Sequence, residues 1–138
     1  MQNIQIKPEK EFVDEQGPVL EDGEIYDAML TGFAEFNGQF GPGLVWRFKV
    51  YDEEHGEVEA AGFSSQSMSA GDKPSKLITW ARKLMGGELP EGGIAISELE
   101  GKPARVEIEN YTKNGIIKNK VVDVKAPSKG KARGMTAA

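Results

Sequence analysis

The chain has 138 residues, 38% of them hydrophobic and 28% charged, which suits one soluble core and excludes a wholly disordered chain. It contains no cysteine, so disulfide frameworks and thiolate metal sites are excluded. The formal net charge is −5, and it is segregated: residues 1–124 hold 13 Lys/Arg against 22 Asp/Glu, whereas the segment from Lys125 carries Lys125, Lys129, Lys131 and Arg133 and no acid.

Residues 1–22 show neither a helical nor a two-residue apolar period and are interrupted by Gly17-Pro18, so they read as an extended arm. Glu9, Glu11, Asp14, Glu15, Glu21 and Asp22 decorate it with negative charge. Its first residues lack a basic stretch followed by an apolar run, and no segment nears the roughly 18 apolar residues of a membrane span. A cytoplasmic location without membrane contact is therefore expected.

From Gly23 the pattern changes. Ile25 to Phe36 predicts a long strand, with Gly32 permitting a bend or bulge. Asn37 to Gly43, with three glycines and a proline, predicts a loop. Leu44 to Tyr51 is the clearest strand: Leu44, Trp46, Phe48 and Val50 share one face, and Val45, Arg47, Lys49 and Tyr51 the other. Asp52 to Gly56 predicts a hairpin loop, Glu57 to Phe63 its return strand, and Ser64 to Gly71 a polar loop.

Asp72 or Ser75 then caps a short helix in which Leu77, Ile78, Ala81, Leu84 and Met85 recur at helical spacing, stopped by Gly86-Gly87. Pro103 to Glu109 predicts a strand with its proline at the start, where the missing N–H does least harm. Asn114-Gly115 predicts a tight turn into a last strand, Ile116 to Val124. Residues 125–138 carry no apolar period and read as a disordered basic tail. The expected organisation is an arm over 1–22, one barrel over 23–124 and a tail over 125–138.

Three meander strands, one helix and a two-strand hairpin match the all-β, five-stranded oligonucleotide/oligosaccharide-binding (OB) barrel, whose helix lies between strands three and four. Three stretches, Phe40 to Val50, Leu99 to Ile108 and Asn114 to Val124, resemble small OB-fold proteins of phages and prophages, many of them regarded as single-stranded DNA binders. The resemblance spans roughly Gly23 to Val124.

That resemblance implies a binding surface over strands two and three, bordered by the loop after strand one and the loop between strands four and five. It assigns Arg47, Lys49 and Tyr51 to the face, Phe36, Asn37 and Phe40 to the first loop, and Tyr111, Lys113, Lys118 and Lys120 to the second. Single-strand binders combine aromatic rings that stack on bases with cations that follow the phosphates. The implied function is single-stranded DNA binding, with RNA as a variant, in phage or mobile-element replication or recombination, together with a replication or recombination protein partner. The alternative is an OB-fold adaptor that binds a protein, because one fold hosts many functions.

The residues also admit plainer readings. Trp46 and Phe48 read as core, and Trp80 as a seal at one barrel end. For Phe36, Phe40 and Tyr111, a ring tucked onto the barrel competes evenly with one that stacks on a ligand, and for Tyr51 the even competitor is an ordinary strand tyrosine on a solvated outer face. His55, the only histidine, lies in the acidic turn Asp52-Glu53-Glu54 and has no second histidine to share a metal with. Gly38, Gly41 and Gly43 are not followed by the Gly-Lys-Ser/Thr of a phosphate loop. Neither a metal, a cofactor nor a catalytic role is expected.

Overall fold

The computed structural model describes residues 16–39 and 41–127. Most of the predicted arm, most of the predicted tail, and Phe40 lie outside the described residues. Among the described residues seven strands form: β1 (Ile25–Gly38), β2 (Gly41–Asp52), β3 (Gly56–Ser65), β4 (Ser69–Ala70), β5 (Lys73–Pro74), β6 (Pro103–Lys113) and β7 (Ile116–Lys125). One α-helix, α1 (Lys76–Leu84), separates β5 from β6, and a 3-10 turn covers Ile96–Leu99.

Five strands close into a barrel in the order β1-β2-β3-β7-β6, with β1 also paired to β6, while β4 and β5 form a separate two-stranded ribbon. All barrel pairs are antiparallel except β3 with β7, which run parallel over Ala61–Lys120 and Gly62–Val121. With α1 between the third and fourth barrel strands, this is the five-stranded OB-fold.

Closing so few strands requires a sharp bend, and β1 supplies it. Leu30 pairs with Phe48 and Gly32 with Arg47, so three residues of β1 oppose two of β2 and Thr31 bulges out. The bulge resets the alternation, leaving Leu30 and Phe33 both inside; Phe33 meets Trp46 edge-on at 4.8 Å. The strands extend beyond the predicted loop at 37–43, since Asn37 pairs with Pro42 and Gly38 with Gly41. Gly41 takes a φ of +121°, which glycine adopts without a Cβ penalty, so the ribbon turns tightly instead of opening into a loop. Similarly, β3 runs on through Ser64 and Ser65, which the sequence places in a loop.

The β2 alternation holds as expected: Leu44, Trp46, Phe48 and Val50 are buried, and Arg47 is exposed. They join Ala28, Val58, Val106, Ile108, Val121 and Val124 in one core. Ser75 caps α1 by accepting from the Ile78 N–H at 3.3 Å. The helix buries Leu77, Trp80, Ala81 and Leu84 against the open barrel end, and the Trp80 ring stands edge-on to Trp46 at 5.2 Å and to Phe48 at 6.5 Å. Asn114 (φ 54°) and Gly115 (φ 79°) make the two-residue turn between β6 and β7.

Candidate nucleic-acid interface

The barrel's outer surface holds a groove of about 720 Å³ between the β2–β3 face and the β6–β7 hairpin. Strand alternation builds its floor. Because Arg47 pairs with Ala61, Lys49 with Glu59 and Tyr51 with Glu57, the odd-numbered residues of both strands point outward together. Arg47, Glu57, Glu59 and Ala61 line the floor, and Tyr111, Ile116, Ile117 and Lys118 form the wall. The bulged Thr31 enters the groove beside Arg47 and donates from Oγ1 to the Arg47 carbonyl at 3.1 Å.

A second wall comes from Gly17 and Pro18, held by side chains that imitate a strand pairing. The Gln16 amide donates to the Ile117 carbonyl at 3.0 Å and accepts from the Ile117 N–H at 2.9 Å. Asn119 donates to the Pro18 carbonyl at 3.0 Å and accepts from the Leu20 N–H at 2.9 Å. Leu20 is thereby set into the core at 2% exposure. Polar clamps spanning about a hundred residues leave no local signal, so Gln16, Asn119 and Leu20 were not legible beforehand.

The charges of the groove are close to balance. Glu57 and Glu59 come from β3, and Lys49 answers Glu57 with an ion pair at 3.5 Å. Arg47 is exposed and makes no ion pair among the described residues. Apolar surface is left uncovered beside it: Tyr111 is 38% and Ile117 41% exposed, both on the groove wall. Such exposed aromatic and aliphatic groups next to an exposed cation are what a base and its phosphate would meet.

The candidate residues fall into separate places. Arg47, Tyr111 and Lys118 share the groove. Phe36, 38% exposed, lies over the β1–β2 end of the face, with the exposed Asn37 next to it. Lys113 stands at the tip of the β6–β7 hairpin opposite Ile116, and Lys120 lies beside Ala61 across the parallel pair. Phe40 lies outside the described residues. Tyr51 is apart from the groove: it lines a second hollow of about 470 Å³ with Ile25, Tyr26, Asp27, Asp52, Glu53 and Arg105. Its three carboxylates make that hollow unfavourable for phosphate.

His55 is occupied locally, its Nδ1 2.5 Å from Asp52 Oδ2, which holds the β2–β3 turn. Among the described residues no three His, Asp or Glu side chains gather where they could hold a metal ion. No described helix is long and apolar enough to cross a membrane. No family model matches the chain, and no curated protein matches it.

Proposed function

We propose that the protein binds single-stranded DNA in the groove between the β2–β3 face and the β6–β7 hairpin, by stacking and backbone contacts with little sequence preference. The observation that carries this reading is the meeting, in one groove, of the exposed Arg47 with the exposed Tyr111 ring and the Ile117 side chain. Replication or recombination of a phage or mobile element, in the host cytoplasm, is the setting the sequence resemblance suggests. Few cations face the groove, so affinity rests on stacking and the salt dependence is shallow, at roughly 0.7 in log–log slope per phosphate contact on a single strand.

Glu57 and Glu59 on the floor favour a second reading, an OB-fold adaptor that takes a partner protein's basic segment in the same groove. Fluorescence-anisotropy titrations of labelled oligo(dT), duplex DNA and single-stranded RNA, at low and moderate salt, separate the two. Binding of oligo(dT) in preference to duplex supports the first reading. No binding of any of the three at micromolar protein overturns it in favour of the adaptor.

A further inference from the structure

The outer face of β3 continues past the groove. Phe63 points to the same side as Ala61 and Glu59, and the Phe36 ring stands edge-on to it, with centroids 6.2 Å apart at 85°. Phe36 can lie across β2 because residue 43 is glycine: a Cβ there would come within 2.3 Å of the ring. The Phe36 ring is thus fixed from below by Gly43 and from the side by Phe63, while remaining 38% exposed.

Next to Phe63 the barrel has a seam. β3 and β7 pair only at Ala61–Lys120 and Gly62–Val121. The next β3 carbonyl, that of Phe63, accepts instead from the Lys76 ammonium at 2.9 Å. The same ammonium stands 4.8 Å from the centroid of the Trp80 ring and is in no ion pair among the described residues. Lys120 emerges from the seam on the outer face. Burial, then repulsion from Lys120, lowers the Lys76 pKa, with Asp123 acting the other way. Lys76 meets the Phe63 carbonyl and Lys120 pairs with Ala61 two residues earlier on the same strand, so the two cations flank one stretch of the seam.

We propose that Lys76 and Lys120 form a phosphodiester-binding subsite on the β3–β7 seam, with Phe36 as its base-stacking platform, continuing the path of a DNA single strand beyond the groove. The inference rests on the groove being a single-strand site. Phe63 lies two residues beyond Ala61 on the groove floor, roughly 7 Å along β3, so the two places form one continuous path for a single strand.

The test uses the full chain, oligo(dT) of about 12 nucleotides, within the range OB folds occupy, and a salt series. Lys76→Gln keeps a donor for the Phe63 carbonyl but removes the charge, Lys76→Arg keeps the charge, and Phe36→Leu removes the aromatic face. Lys76→Gln flattens the slope of log affinity on log salt by roughly 0.7, and Lys76→Arg restores it. Phe36→Leu weakens binding about 5- to 100-fold with the slope unchanged, as loss of one stacked base should. If Lys76→Gln lowers only thermal stability and leaves the slope intact, Lys76 merely caps a carbonyl and the subsite is wrong. If Arg47→Ala weakens binding while the seam variants do not, the groove stands and the subsite falls. If the parent binds no oligo(dT), both fall together.

Discussion

Trp46 Nε1 donates a hydrogen bond to Ser64 Oγ at 2.8 Å inside the barrel, tying the middle of β2 to the end of β3. Both groups are buried, and Ser64 Oγ in turn donates a hydrogen bond to the Ser65 carbonyl at 2.9 Å. The indole therefore fills the core without an unpaired donor. Trp46→Ala should cost about 3–5 kcal/mol, as large core deletions do. Ser64→Val, similar in shape but without an acceptor, should cost about 1–3 kcal/mol through the orphaned indole N–H. Tyr51→Ala, on the opposite face, should cost less than either, and urea melts of the three variants give the ranking.

At Gly62 on β3, β7 and α1 close in on the backbone. A Cβ there would lie 2.7 Å from the Trp80 ring and 3.0 Å from the Val121 carbonyl. Trp80 cannot move aside, because Trp46 and Phe48 stand edge-on against it. Gly62→Ala should destabilise by about 1–3 kcal/mol through overpacking, despite the usual gain from replacing a strand glycine. Thermal melts combined with near-UV circular dichroism, which reports the indole packing, check this.

Asn119 holds the chain at Pro18 and Leu20 against β7. Asn119→Ala leaves the Leu20 N–H without its acceptor, and the expected cost is about 1–3 kcal/mol. The loss should be local first. Hydrogen exchange should accelerate at the Leu20 and Ile117 amides before it does in the β2 core.

The Tyr26 phenol gives a pH signature. Burial raises its pKa above the ordinary 10.0, Asp52, Glu21 and Glu24 add to the rise, and the Glu21 N–H that donates to its oxygen at 2.8 Å opposes it. The folded state thus keeps a proton that the unfolded chain loses. The corresponding stability is fully present below about pH 10 and is lost as pH climbs through the raised folded value. Melting temperatures of the parent and Tyr26→Phe, compared from about pH 9 to about pH 12, should show a steeper alkaline decline in the parent.

Alternation made much of the barrel legible. The two faces of the Leu44 to Tyr51 strand, the Asn114-Gly115 turn and the capped helix follow from local chemistry, and each lies where the sequence places it. Strand ends were less legible, because glycine and serine at 37–43 and 64–65 signal loops when read locally, yet pairing carries β1, β2 and β3 through them. For the candidate site, period two correctly put Arg47, Lys49 and Tyr51 on one side. It could not show that the face divides between two hollows, since that depends on where the β6–β7 hairpin and Gly17-Pro18 fold back. Nor could it reveal Lys76, whose helical position gives no hint that its ammonium caps a β3 carbonyl.

The most direct test of the groove is a salt series of oligo(dT) anisotropy titrations on the parent, Arg47→Ala and Tyr111→Ala. Both side chains are on the surface, so both variants should melt close to the parent. Arg47→Ala should weaken binding at low salt and flatten the log–log salt slope by roughly 0.7, the loss of one phosphate contact on a single strand. Tyr111→Ala should cost about 1–3 kcal/mol of affinity with the slope nearly unchanged, because stacking releases no counterions. Folded variants that bind oligo(dT) with the parent's affinity and slope would contradict the account, leaving the groove a solvated face of the barrel.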